Sequence, residues 1–233
     1  MKTFSVALVE PDGAGKTTVA RELERKLPLP TTYLYMGVAP GSSNRLLPTT
    51  WAVHALRRRR GAGSSAPAGV GRRRGGVRAL LRLANRVAEE SYRQTLAWWH
   101  RGRGRVVIFD RHFFADYYST DVHDATSLSR RLHGLFLAHV YPKPDLVVYL
   151  DAPAALLLAR KGEGTLESLE ALRRNYERLA EAAPSFVRID ASRPLERVVT
   201  DAAAAICEFA ERRQRKRVAE GGQARAGGVR PGL

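Results

Sequence analysis

TFSVALVEPDGAGKTT, residues 3–18, decides the fold of the chain. Residues 3–9 are almost continuously apolar, the pattern of a strand covered on both faces. Residues 12–18 (DGAGKTT) then supply most of the phosphate-binding turn G-x-x-x-x-G-K-[ST], and a helical pattern follows over residues 17–27. Strand, glycine loop and helix in this order form an anion cradle, because backbone N–H groups turn inward and the helix N-terminus adds partial positive charge. Asp12, Gly13, Ala14, Gly15, Lys16, Thr17 and Thr18 are therefore the expected contacts to ATP, with Lys16 at the β- and γ-phosphates and the Thr17 hydroxyl on Mg²⁺. Glu10 stands where the pattern has its first glycine. Either that position accepts a side chain at ordinary φ, or Glu10 turns away from the phosphates toward an acceptor.

Outward from this stretch, strands and helices alternate. Pro28 and Pro30 stop the first helix, because they lack the N–H that another turn requires. A strand is expected over residues 32–36, rich in aromatic and β-branched residues, and residues 37–50 read as a loop. The longest helical pattern runs over residues 77–100, with Val77, Leu80, Leu81, Ala84, Val87, Ala88, Tyr92, Leu96 and Trp99 on one apolar face. RVVIFD (105–110) is the third strand, 145–150 the fourth and 186–189 the fifth, each closed by an aspartate: Asp110, Asp151 and Asp190. Helices are expected over residues 127–140, 153–160, 166–182 and 194–213. Five strands alternating with helices predict an α/β fold of the P-loop NTPase kind, a five-stranded parallel sheet with helices on both faces. Ligands of such sheets bind at the carboxyl edge, where these aspartates fall.

The 233 residues suit a single domain, and the formal charge of +16 is concentrated in two places. Residues 57–76 carry seven arginines and no acid, and residues 212–233 carry seven basic residues against Glu220, which leaves about +3 for everything else. Both segments are too poor in apolar residues to offset ordering entropy, so the expectation is a kinase domain over residues 1–211, a basic disordered insert at about 57–76 and a basic disordered tail over 212–233. The single cysteine, Cys207, excludes a disulfide framework and a cysteine metal cluster. The apolar run before Glu10 is too short for a signal peptide or a membrane span, so the expected location is cytoplasmic.

DGAGKTT after the first strand, DRH (110–112) after the third and LDAP (150–153) leading into AALLLARK together resemble thymidylate kinase and its relatives, over roughly residues 3–200. The likeness is to thymidylate-kinase-like proteins rather than the housekeeping enzymes, whose lid is longer and which lack the basic insert. The resemblance implies that Asp110 lies near Mg²⁺ and the acceptor, that Arg111 grips the acceptor phosphate, and that Asp12 faces the acceptor sugar. It implies that RKGEG (160–164) is a shortened lid; because Gly13 occupies the P-loop position of the family's alternative arginine, the catalytic arginine falls to Arg160, with Lys161 in support. Arg86 or Arg93, on the long helix that lines the acceptor pocket in the family, would also bind substrate, although a solvated helix face explains both. Capping, turn and surface-pairing roles explain Asp12, Asp110, Arg111 and Arg160 in part as well. Trp98 and Trp99 are expected in the core, and Asp151 and Asp190 as capping or turn residues.

The reading that results is an ATP- and Mg²⁺-dependent nucleoside monophosphate kinase, dTMP kinase-like, with catalytic residues Lys16, Asp110 and Arg160, substrate contacts Asp12, Arg111 and Arg93, and metal contacts Thr17 and Asp110. Its partner is a small-molecule nucleotide acceptor. A homodimer is compatible with it, a membrane is not, and the basic segments allow weak nonspecific nucleic-acid contact. A kinase of a deoxynucleoside or other hydroxyl acceptor stays open, since Asp110 would serve as its general base. So does a nucleic-acid-associated or regulatory ATP-binding protein, for which the arginine runs and Glu10 speak.

Overall fold

The computed structural model describes residues 3–11, 14–36, 72–113, 128–162 and 164–226. Five strands, β1 (Ser5–Val9), β2 (Thr31–Tyr35), β3 (Val106–Asp110), β4 (Leu146–Asp151) and β5 (Phe186–Asp190), form one parallel sheet in the order β2-β3-β1-β4-β5. The helices are α1 (Lys16–Lys26), α2 (Arg72–Gly102), α3 (Leu128–His139), α4 (Ala154–Lys161), α5 (Leu166–Ala182) and α6 (Leu195–Ala226). The three strands buried along their whole length, SVALV, VVIFD and LVVYLD, take the centre. TTYLY alternates and FVRID is mostly half-buried or exposed, so these two form the edges.

Because successive side chains point to opposite faces, the central strands feed two cores. Val6, Leu8, Val106, Ile108, Leu146 and Val148 pack with Val19 and Leu23 of α1 and Val199, Ile206 and Phe209 of α6. Ala7, Val9, Val107, Phe109, Val147 and Tyr149 pack on the other side with Ala97 of α2, Leu137 of α3 and Tyr176 and Leu179 of α5. α4 stops at Gly162, whose φ of 69° suits the left-handed cap that glycine adopts without strain. α5 opens on a capping box in which Thr165 and Ser168 exchange side-chain and backbone hydrogen bonds.

Three expectations need correction. α2 begins at Arg72, so residues 72–76 of the basic insert are helical, while 57–71, like the loop at 37–50, lie outside the described residues. Arginine is a good helix former, and the 31-residue helix tolerates Gly75 and Gly76 at about 1 kcal/mol each. α6 continues to Ala226, past the expected end near Arg213 and into the segment expected to be a disordered tail; residues 227–233 lie outside the described residues. Its extension is supported by i,i+4 pairs, Arg212 with Glu208 and Arg215 with Glu211, and residues 214–219 are exposed, so it adds nothing to the core.

The third correction concerns the face that α2 buries. Glu89, Glu90, Arg93, Gln94, Ala97 and His100 are buried, whereas Trp98 and Trp99, expected in the core, are 52% and 47% exposed. The charged ones are paired there: Arg93 with Glu89 along the helix, and Glu90 with His133 of α3 at 2.8 Å. Arg93 is thus buried rather than solvated. Among the described residues no helix is long and apolar enough to cross a membrane.

Candidate active site

The parallel register sets Leu8 beside Asp110, so the ends of β1 and β3 emerge together at the carboxyl edge. Gly15, at φ 97°, reverses the chain in a conformation that side-chain-bearing residues avoid, and α1 starts directly above this edge. Its first residue, Lys16, is 5% exposed. The Lys16 ammonium donates to Glu10 Oε1 at 3.1 Å and stands 3.3 Å from Asp110 Oδ1, while the Lys16 backbone N–H donates to Glu10 Oε2 at 2.8 Å. The Thr17 hydroxyl donates to Asp110 Oδ2 at 2.7 Å. Tyr33, two residues before the β2 position paired with Asp110, donates its hydroxyl to the same oxygen at 2.8 Å. Burial first, then the charge and hydrogen bond of Asp110, push the Tyr33 hydroxyl well above its ordinary pKa, so it stays a donor.

This cluster joins three expected residues, Lys16, Thr17 and Asp110, with two that sequence reasoning missed or misread. Tyr33 carries no motif, and only the strand order brings it to Asp110. Glu10 is not among the residues with positive φ, so ordinary backbone is accepted at the first glycine position of the motif. The alternative, a Glu10 turned away from the phosphate loop, is overturned: its carboxylate folds back onto Lys16. Asp12 and Gly13 lie outside the described residues.

The donor set suits a hard divalent cation. Thr17 commits its hydrogen to Asp110, which leaves its lone pairs available, and Asp110 Oδ1 is a fully buried oxygen without a hydrogen-bond partner among the described residues.

Arg111 is the sole described residue other than glycine with positive φ, at 63°. Such a conformation costs about 1–3 kcal/mol and persists where the surroundings impose it, often at functional sites. His112 next to it is driven by burial to a pKa of about 3, so its neutral ring packs on Phe109 and Tyr141 at centroid distances of 4.8 and 5.6 Å. Arg93 reaches the same turn from α2, with its guanidinium 5.8 Å from the Phe113 ring and hydrogen bonds of 2.9 and 3.0 Å to Glu89.

Arg160 is set apart from this cluster. Its guanidinium donates to the Ala191 carbonyl at 3.0 Å and lines a cavity of about 220 Å³ with Ala14, Gly15, Thr18, Val19, Ala191, Arg193, Leu195 and Val198. Arg160 and Lys161 are the last residues of α4 rather than part of a loop, and Glu163 lies outside the described residues. Arg193 and Leu195 follow β5 and carried no signal in the sequence. Asp151 is not the capping residue expected: it is buried, accepts two hydrogen bonds from Arg173 at 2.8 and 2.9 Å, one from Tyr149 at 2.8 Å, and one from Arg188. Asp190 does form a turn, accepting from the Ser192 backbone at 2.9 Å.

A five-stranded parallel sheet of this order, with a lysine and a threonine opening α1 over the aspartate that ends β3, defines the P-loop NTPase fold. The family model for thymidylate kinase matches residues 75–202, which include Asp110, Arg111 and Arg160. A protein of Pyrobaculum aerophilum described as "Probable thymidylate kinase" is 33% identical over 204 residues, spanning 85% of this chain and 93% of that protein. One of Halobacterium salinarum with the same description is 34% identical over 114 residues, 46% of this chain and 57% of the other. The chain belongs to the thymidylate kinase family, and is a kinase.

Proposed function

We propose that this kinase uses Mg²⁺·ATP to phosphorylate a nucleoside monophosphate, with dTMP as the acceptor that its relatives' descriptions indicate. The observation that carries the proposal is the buried Lys16–Asp110–Thr17 cluster standing beside the left-handed Arg111. Lys16 binds the β- and γ-phosphate oxygens, and the N–H groups that open α1 add their partial charge. Thr17 and Asp110 would hold Mg²⁺, which would supply neutralisation of the charge on the phosphate oxygens. The cavity between Val19, Val198 and the Arg160 guanidinium takes the ATP base, with Arg193 at its rim. Arg160 then acts from the base side, and a reach to the transferring group needs its bond to Ala191 to break.

The acceptor phosphate is assigned to Arg111, with Arg93 behind it and Asp12 toward the sugar. A phosphate oxygen is already a nucleophile and needs positioning by cations rather than a base. Asp110 is ill suited to take a proton from a hydroxyl acceptor, because Thr17 and Tyr33 both donate to its Oδ2 and the Lys16 ammonium faces its Oδ1 at 3.3 Å. The test compares thymidine with thymidine monophosphate as acceptors in an ATP-coupled assay. Turnover of the monophosphate with little turnover of thymidine is expected; the reverse preference would refute the assignment.

A further inference from the structure

The backbone N–H of Lys16 and its ammonium are the two donors that the P-loop reading gives to nucleotide phosphates, and in this structure a carboxylate of the chain itself takes both. Glu10 accepts them at 2.8 and 3.1 Å, with only 8% of the residue exposed. Its carboxylate sits at the N-terminus of α1, where an anion is favoured by the helix dipole, as a phosphate would be. Asp110 stands 3.3 Å from the same ammonium. Two carboxylates therefore face one lysine, and the formal charge of the three groups is −1.

We propose that Glu10 determines which form of ATP this site accepts: it is a built-in occupant of the phosphate position that metal-free ATP displaces poorly and Mg²⁺·ATP displaces readily. The inference rests on the proposed function. Displacing Glu10 with a bare triphosphate leaves two buried carboxylates and the phosphate charges beside a single ammonium, and burying a charge without a partner is costly. A divalent ion brought with the nucleotide offsets the second carboxylate, whose oxygens are the donor type such ions prefer. Glycine at this position would have no side chain to place there, so the discrimination is a property of Glu10 itself.

The test is calorimetric titration of the full chain with ATP in excess EDTA and with Mg²⁺·ATP, for the parent, Glu10→Gln, Glu10→Gly and Lys16→Met, each first confirmed folded by urea unfolding. The expected result is that both Glu10 variants bind metal-free ATP at least about tenfold more tightly than the parent, roughly the effect of 1.4 kcal/mol, while Mg²⁺·ATP changes by less than about threefold. Using two variants separates the charge from the shape of the side chain. Metal-free ATP binding that is unchanged or weaker in both Glu10 variants, with Lys16→Met still abolishing Mg²⁺·ATP binding, would overturn the role of Glu10 and leave the P-loop kinase standing. Absence of ATP binding to the parent and the Glu10 variants in either form would overturn the proposed function, and this inference with it.

Discussion

Tyr33 and Asp110 meet across neighbouring strands, the Tyr33 hydroxyl donating at 2.8 Å to the oxygen that also accepts from Thr17 at 2.7 Å. Asp110 is thereby fixed in rotation, with its other oxygen turned to Lys16. Tyr33→Phe should lower kcat about three- to tenfold and weaken the Mg²⁺ dependence, because it loses one orienting bond of about 1 kcal/mol. Thr17→Val should lower kcat by about 100-fold or more, on the scale of a lost electrostatic contact in a site, while Thr17→Ser recovers most of it. Initial rates across a Mg²⁺ titration check both; a silent Thr17→Val would remove this hydroxyl from the metal site.

Lys16 also bears on stability. With an exposure of only 5% and carboxylates at 3.1 and 3.3 Å, it neutralises charge inside the fold. Lys16→Met should therefore abolish phosphoryl transfer and also destabilise the protein by about 3–5 kcal/mol, the penalty for leaving buried charge uncompensated. Adding Glu10→Gln should restore part of that loss. Urea unfolding of both single variants and the double variant measures the coupling, and strict additivity would show that Glu10 and Lys16 do not interact.

Asp151 ties the end of β4 to α5 and β5. Burial alone would raise its carboxyl, but hydrogen bonds from Arg173, Tyr149 and Arg188 outweigh burial and hold it below the ordinary value of 3.8. A depressed folded pKa stabilises the fold above the unfolded value, and the contribution fades as pH falls through about 4 toward the folded value. Asp151→Asn should be less stable than the parent at pH 7, and the difference should shrink by about pH 3. A stability gap independent of pH would point to lost shape rather than lost charge.

The order of strands and helices was legible in the sequence because each fully apolar run ends at a glycine, proline or aspartate signal, and the 166–182 helix is found with the expected bounds. The clustering of the candidate site residues was legible where local spacing carries it, as with Lys16, Thr17 and Asp110. It was not legible where sheet order does: Tyr33 approaches Asp110 only because β2 lies next to β3, 77 residues apart in the chain. Helical periodicity also misjudged α2, since it cannot tell which of two faces is buried when Glu89 and Arg93 neutralise each other inside. The same blindness to pairing hid Asp151 among capping residues.

The end of α6 offers a separate test. Arg213 is the last residue of the helix with described packing contacts, pairing with Asp145 at 2.7 Å and lying 6.0 Å over the Phe209 ring. Truncation after Arg213 should leave kinase activity unchanged and Tm within about 2 °C, while any retention on DNA should weaken and fall steeply with salt. Truncation before Arg213 should lower Tm measurably. Loss of activity on removing only the residues after Arg213 would show that the exposed extension serves catalysis.

Arg111 separates function from stability within one residue. Its φ of 63° is unfavourable for a side-chain-bearing residue, yet it directly follows the fully buried Asp110 at the carboxyl edge of the sheet. Arg111→Ala and Arg111→Gly both remove the guanidinium, so both should raise the acceptor KM by about tenfold or more if it grips phosphate bidentately. Arg111→Lys should recover little, because an ammonium does not reproduce the planar fork. Mg²⁺·ATP binding should change little in all three. The two truncations differ only in backbone freedom: glycine accepts this conformation and alanine does not, so Arg111→Gly should be the more stable by about 1 kcal/mol despite the entropy that glycine loses on folding. Acceptor kinetics and urea unfolding of the same three proteins give both answers. Equal stability of the glycine and alanine variants would show that the left-handed turn is not strained. An unchanged acceptor KM in all three would move the phosphate contact away from Arg111, to Arg93 or to residues outside those described.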